Sequence, residues 1–106
     1  MVKQAKKFDK GKLRTDLIPP NVMLALANVL KHGAEKGYGD FNYRNGKGLN
    51  WSRPYGAVQR HLLKWYKGGD IDPESKLPHL DEALAEIVIL MDLRDHGKGF
   101  DDRPKI

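Results

Sequence analysis

The chain has 106 residues, of which 40% are hydrophobic and 31% charged, with a formal net charge of +5 and no cysteine. These values are typical of one small globular domain, here taken as residues 1–106, and they exclude disulfides and thiolate metal sites. No apolar run reaches the ~18 residues of a membrane-spanning helix, and the basic N-terminus lacks the apolar segment of a secretory signal. We therefore expect a cytoplasmic protein with no membrane partner and with an anionic ligand, either a nucleic acid, a nucleotide or another phosphate ester.

Residues 1–18 are predicted to form an extended basic arm. The first 14 residues contain one acid, Asp9, and six basic residues: Lys3, Lys6, Lys7, Lys10, Lys12 and Arg14. The arm ends at Pro19-Pro20, a pair that cannot lie inside a helix. Arg14 stands two residues before Asp16, so it can either contact a phosphate or pair with Asp16 and anchor the arm.

The first helix is predicted from Pro20 to about His32, with Gly33 as its stop. Its apolar side chains recur at helical spacing: Val22, Leu26, Val29 and Leu30. The next segment, residues 33–51, holds five glycines and four aromatic residues and is predicted to be a long structured loop. A loop of this length in a small domain is usually functional, and the side chains of Asn42, Asn45 and Asn50 can receive a planar ligand.

The second helix is predicted to start with Ser52 as its cap and to run to about Lys67. Arg60 and His61 point in directions 100° apart, so one of them faces the core or a site. His61 can contact a phosphate or donate to a carboxylate, although a core histidine with its hydrogen bonds satisfied is the alternative. In the following connection, residues 70–78, Asp72 is expected to cap the third helix or to brace the second.

The third helix is predicted from Pro78 to about Asp95 and carries the most informative pattern. His79, Glu82 and Glu86 fall within about 60° of one another on its surface. Every residue from Ile87 to Met91 is apolar, so this half is expected to be surrounded by protein. Buried carboxylates need a cation, which makes a metal site the first hypothesis, while an exposed flank pairing with basic residues is slightly favoured by the pattern alone. Without cysteine, such a site points to Mg²⁺ or Mn²⁺ before Zn²⁺.

Three helices with almost no strand pattern predict an all-α fold, a small helical bundle with a long glycine- and aromatic-rich loop. The polar tail, residues 97–106, is expected to be loosely held. Because three helices of this size bury only a thin core, we expect the bundle to be completed by self-association into a homo-oligomer.

Four motifs occur in sequence order: DKGKLRTDLIPP, HGAEKGYGDFNY, QRHLLKW and GGDIDPESKLPHL. Their order and spacing resemble the phage-encoded dATP/dGTP diphosphohydrolase domain family, which is related in architecture to the all-α, MazG-like nucleotide pyrophosphohydrolases. The resemblance covers residues 9–93. It implies metal-dependent cleavage of a deoxynucleoside triphosphate between its α and β phosphates, with Mg²⁺ or Mn²⁺ as cofactor and the host cytoplasm as location.

The resemblance also implies roles for particular residues. In the wider architecture, acidic side chains on two helices hold the metal, and here they correspond to Glu82 and Glu86 with His79 and, just past the first helix, Glu35. Glu35, Glu82 and Glu86 are the candidate catalytic groups, and a solvated glutamate near a helix end is the alternative for Glu35. The alternative for His79 is a capping or bracing contact. The candidate substrate contacts are Lys12, Arg14, Lys36, Asn42, Arg60 and His61.

Two other functions compete with hydrolysis. A non-catalytic nucleotide-binding protein of the sponge type can use the same scaffold without turnover. A small nucleic-acid-binding protein is suggested by the charge of +5 and the basic arm. It is ranked last, because the chain has no recognisable recognition motif and its third helix carries acids.

Overall fold

The computed structural model describes residues 3–105 and has an all-α architecture. Helix α1 spans Pro20–Gly33, helix α2 spans Ser52–Tyr66, and helix α3 spans His79–Asp95. Within the described residues, β structure is limited to two isolated bridges. The prediction of an all-α fold with three main helices is therefore confirmed, and the helix ends lie within about one residue of those predicted from glycine and proline positions.

Helix α3 is the central element, because it packs along α2 and, more sparsely, against α1. Ala83 and Ala85 are both buried although they point about 200° apart, so α3 is covered on opposite sides. Leu93 is completely buried, and Val58 and Pro54 of α2 face the same core. The core is thin, as expected for so few helices.

The expectation that the apolar half of α3 is surrounded by protein is wrong for two of its residues. Ile87 and Met91 keep 41% and 47% of their surface exposed. Together with Trp51, Tyr55 and Pro104 they line a mainly apolar cavity of about 550 Å³ between α3, the start of α2 and the tail. The apolar run therefore reflects burial on some faces of the helix and the wall of an open cavity on another.

The loop between α1 and α2 is structured, and side chains fasten it to the end of α3. It contains a π-helical turn at Ala34–Tyr38 and a 3₁₀ turn at Asn42–Arg44. The Tyr43 hydroxyl and the Arg44 Nε–H both donate to Asp92 Oδ2, each at 2.6 Å. The Arg44 guanidinium also lies 4.3 Å from the ring centre of Phe41, a cation–π contact that orders the loop further.

The tail docks on the start of α2, so the expectation of a loosely held tail is wrong. The Trp51 backbone N–H donates to the Phe100 carbonyl at 3.0 Å, and the Trp51 indole N–H donates to the Lys98 carbonyl at 3.1 Å. The Asp102 carboxylate accepts hydrogen bonds from the Ser52 backbone N–H and hydroxyl. Ser52 is thus the first residue of α2 and not its cap. The capping carboxylate comes from the tail, a partner that local sequence cannot reveal.

The N-terminal arm is exposed and contains one 3₁₀ turn at Thr15–Leu17. Arg14 donates through two nitrogens to both carboxylate oxygens of Asp16, and both side chains are mostly exposed. The pair is local to the arm and occupies the Arg14 guanidinium. The first two residues of the predicted arm and the last residue of the predicted tail lie outside the described residues. Within residues 3–105, no helix has the length and apolar character needed to cross a bilayer.

The Asp92 contacts predict how stability depends on pH. The Arg44 hydrogen bond, and then the Tyr43 one, lower the pKa of Asp92 to about 2. Because this pKa is below its value in the unfolded chain, ionised Asp92 stabilises the fold at neutral pH, and the contribution is lost as the pH falls from about 4 through 2. We expect Asp92→Asn to lower the urea midpoint at pH 7, with a difference from wild type that shrinks toward pH 2.

Asp95→Asn is the matched control, because Asp95 is on the same helix but forms an exposed pair with Arg94 alone. Its urea midpoint should stay near that of the wild type at both pH values. A difference for Asp92→Asn that is constant between pH 7 and pH 2 would contradict the assignment.

Candidate metal centre

Four side chains that can ligate a metal converge between α2 and α3. His61 comes from α2, Asp72 from the connection, and His79 and Glu82 from the first turn of α3; one nitrogen or oxygen of each lies within 4.8 Å of all the others. Bonds of about 2.0–2.3 Å put donors on opposite sides of an ion about 4.0–4.6 Å apart. The spacing of the four donor atoms therefore suits a single metal ion.

The fold of the connection brings Asp72 back over the start of α3. The Asp72 N–H donates to the Leu77 carbonyl at 2.8 Å, and the Lys76 N–H donates to the Asp72 carbonyl at 2.7 Å. The His79 N–H then donates to the Asp70 carbonyl at 2.9 Å. These backbone bonds close the loop on itself and carry the Asp72 side chain into the protein, where only 9% of the residue is exposed.

Helical spacing positions the other three groups. His79 and Glu82 are three residues apart on α3 and so project from the same face. His61 lies three residues after the buried Val58 on α2, which turns its ring toward α3. His79 itself is buried, with 2% of its surface exposed.

Both carboxylates of the cluster are held by further hydrogen bonds. The Glu74 N–H donates to Asp72 Oδ1 at 2.9 Å, and the Ser75 hydroxyl donates to Glu82 Oε1 at 3.1 Å. Ser75 Oγ in turn accepts the Leu77 N–H at 3.2 Å. Such outer partners fix the orientation of ligating groups in metal sites. The connection therefore supplies one ligand and the groups that orient two.

The imidazole rings of His61 and His79 are in contact through their Nδ1 atoms. Nδ1 of His61 and Nδ1 of His79 are 2.9 Å apart, and Nδ1 of His61 is 3.9 Å from Glu82 Oε1. Only one of the two Nδ1 atoms can carry the proton in this contact, so the other must accept. A cation at the cluster could use the lone pairs of both rings, which makes the pair compatible with a metal site.

Burial and neighbouring charges shift the pKa values in the cluster. Burial, and then the adjacent Asp72 carboxylate, raise the pKa of Glu82 to about 7. Burial, and then His79, lower the pKa of His61. Burial acts against ionisation of Asp72, but the Glu74 N–H and a hydrogen bond shared with Glu82 keep its pKa below the usual value. Neutral imidazoles and two close carboxylates are what a divalent cation requires and stabilises.

Of the residues predicted from sequence to hold a metal, His79 and Glu82 belong to this cluster. Glu86 lies one turn further along α3 and lines a separate cavity of about 440 Å³ with Arg60 and Arg53. Burial raises the pKa of Glu86. Glu35 lies on the surface, 3.7 Å from the ammonium of Lys31. The structure thus brings together two of the four predicted ligands.

The predicted substrate contacts are also distributed unevenly. His61 is part of the cluster, and Lys36 is close enough to act on the pKa of Glu82. Arg60 lines the cavity beside Glu86. Asn42 is exposed and bonds to Asn45, and Lys12 and Arg14 lie on the exposed arm.

The sequence did not indicate Asp72 as a ligand, and it left His61 as either a substrate contact, a donor to a carboxylate or a core histidine. Helical periodicity groups residues within one helix, but Asp72 lies in a connection and His61 on a different helix. The sequence does contain a histidine on α2, an acid in the connection and a histidine at the start of α3. These residues form a site only after α2 packs against α3.

The fold and the cluster define a small all-α protein with a candidate metal centre between two helices. The chain belongs to the family described as dATP/dGTP diphosphohydrolase, N-terminal, whose model matches residues 2–103. This confirms the resemblance found in the sequence motifs.

A curated relative, the dATP/dGTP diphosphohydrolase of Salmonella phage PMBT28, is 36% identical over 97 residues, which cover 92% of this chain and 32% of the relative. The chain thus spans about a third of the length of the relative. No solved structure matches the chain.

The cluster predicts which acidic residues are needed for a metal ion to stabilise the protein. A ligand that binds only the folded state stabilises it by about 2.7 kcal/mol at 100 times its dissociation constant. We expect Mn²⁺ to raise the Tm of the wild type and of Glu35→Gln by several degrees, and to leave the Tm of Asp72→Asn nearly unchanged. Differential scanning fluorimetry with and without Mn²⁺ measures this. A full shift in Asp72→Asn, or a lost shift in Glu35→Gln, would place the metal elsewhere.

Proposed function

We propose that this protein hydrolyses a deoxynucleoside triphosphate of the dATP or dGTP type to the monophosphate and pyrophosphate, using a divalent metal such as Mg²⁺ or Mn²⁺. The observation that carries the proposal is the largely enclosed group of His61, Asp72, His79 and Glu82 in a member of this family. The name of the phage relative, dATP/dGTP diphosphohydrolase, supports diphosphohydrolysis as the reaction. The chain covers a third of that relative, so turnover by this chain is itself part of the proposal.

The chemistry needs charge neutralisation, a positioned water and a group that accepts a proton. A metal at the cluster would neutralise triphosphate charge. Glu82 is one of the four donors that would hold this metal, and the Ser75 hydroxyl already orients its carboxyl. Asp72, whose pKa is lowered, stays ionised and is suited to hold a cation.

Cationic side chains around the cluster are suited to bind the phosphates. Lys36 acts on Glu82 electrostatically, and Arg60 and Lys64 of α2 do the same for His61. Arg60 and Lys64 are four residues apart, so they lie on one face of α2. A triphosphate running along this face would meet an Arg, which can bind two oxygens, and a Lys, which acts as a point charge. Lys36 and Arg60 are therefore the preferred substrate contacts among the residues proposed from sequence.

The test is turnover with defined products. Purified protein with dATP or dGTP and Mg²⁺ or Mn²⁺ should yield the monophosphate and pyrophosphate, separated by ion-exchange chromatography. Glu82→Gln removes one carboxylate donor of the cluster and should lower kcat by about 100-fold or more. Nucleotide binding, followed by isothermal titration calorimetry, should persist in this variant.

Glu74→Gln is the matched control, because the exposed Glu74 side chain is beside the cluster and only its backbone N–H contacts Asp72. This variant should keep the wild-type rate. Unchanged kcat in Glu82→Gln would remove Glu82 from the mechanism. Tight nucleotide binding by the wild type with no pyrophosphate release would replace hydrolysis by the nucleotide-binding alternative.

We also propose that the protein self-associates through the uncovered side of α1. Leu24 and Met23 on this side are 71% and 55% exposed. The radius of gyration of 17.6 Å exceeds the roughly 13 Å of a compact chain of this length, in part because of the extended arm. Exposed apolar surface of this kind marks an association site.

Light scattering coupled to size exclusion tests the proposed association. The wild type should have at least twice the monomer mass, and Leu24→Glu should shift it toward the monomer because a charge in an apolar interface is costly. Gln59→Glu, which adds the same charge at an exposed position of α2, should behave as the wild type. A monomeric wild type would reject the proposal.

A further inference from the structure

The donor set of the cluster carries information about which metal it takes. Two of its four side chains are imidazoles and two are carboxylates. We infer that the centre binds a first-row transition-metal dication directly on the protein, before any nucleotide arrives, and that Mg²⁺ is a poor occupant. The inference deepens the proposed function and rests on it for the role of the metal.

The first argument is ligand preference. Mg²⁺ takes oxygen ligands and is usually held by one or two carboxylates together with substrate phosphates and several waters. Imidazole nitrogen suits transition metals, and their affinity for mixed nitrogen and oxygen sites rises from Mn²⁺ through Co²⁺. With His61 and His79 making up half of the donors, the site differs from a typical Mg²⁺ site.

The second argument is enclosure. His79 and Asp72 are 2% and 9% exposed, and the side chains of His61 and Glu82 are 17% and 14% exposed. Protein atoms therefore occupy most of the surroundings of the donors. Mg²⁺ gives up its water reluctantly, so it gains least from a site whose ligands come from protein.

The third argument is pre-organisation and charge. The Glu74 N–H and the Ser75 hydroxyl already hold the two carboxylates, so little ordering is left for the metal to impose. Metal ligation requires deprotonated donors, and two ligating carboxylates offset the charge of a dication.

The experiment uses the whole protein, freed of metal with a chelator, and no nucleotide. Isothermal titration calorimetry with MnCl₂, CoCl₂ and MgCl₂ separately should give one site for Mn²⁺ and Co²⁺, with affinity about 100-fold or more above that for Mg²⁺. Visible absorption of bound Co²⁺ reports nitrogen and oxygen ligation independently of heat. Affinity for Mg²⁺ within tenfold of that for Mn²⁺, or no stoichiometric Mn²⁺ binding, overturns the inference.

Variants assign the binding to the cluster. His79→Asn and His61→Asn should each weaken Co²⁺ binding by about 100-fold and abolish its absorption bands. His96→Asn is the matched control, since His96 is an exposed imidazole beside Asp92 and outside the cluster. Circular dichroism follows helical content, and His61, which is less buried than His79, supplies the variant with the smaller folding risk. Wild-type Co²⁺ binding in a folded His61→Asn overturns the assignment.

The inference and the proposed function fail in different ways. Tight Mn²⁺ or Co²⁺ binding without pyrophosphate release supports the metal centre and rejects hydrolysis. Pyrophosphate release with Mg²⁺, from a protein that binds no transition metal in the absence of nucleotide, supports hydrolysis and rejects the metal centre.

Discussion

The packing of α2 against α3, with the connection folded back between them, is the constraint on which the rest of the structure depends. Two carboxylates and two imidazoles meet where these elements join, and Asp72 and His79 are almost completely buried there. Burial of charged groups is unfavourable unless partners compensate. The Glu74 N–H and the Ser75 hydroxyl supply part of that compensation, and a cation is suited to supply the remainder.

The same arrangement gives the cluster properties that ordinary surface residues lack. Burial and the neighbouring Asp72 raise the pKa of Glu82 to about 7, so its carboxyl can change protonation state near neutral pH. Perturbed groups of this kind concentrate at functional sites, although ion-pair networks produce them too. Here the geometry adds an independent argument, because four donor atoms fall within the span of one metal coordination sphere.

Local backbone preferences explain which features the sequence predicted, and long-range contacts explain which features it did not. The helix ends followed from proline and glycine, whose backbone preferences act locally. The docking of the tail depends on Asp102 reaching Ser52, fifty residues earlier in the chain, and no local pattern indicates this. Glu35, although acidic and near a helix end, lies on the surface beside Lys31, because position along the chain does not fix distance to the cluster.

The sequence by itself determined the all-α class, the bounds of three helices, the placement of His79 and Glu82 on one face of α3, and the family to which the chain belongs. These features depend on local backbone preference, on a period of 3.6 residues and on motif order. Only the tertiary structure decided that His61 and Asp72 complete the cluster and that Glu86 faces another cavity. The physical reason is that a metal site is set by distances between side chains, and distances across two helices and a connection exist only after packing.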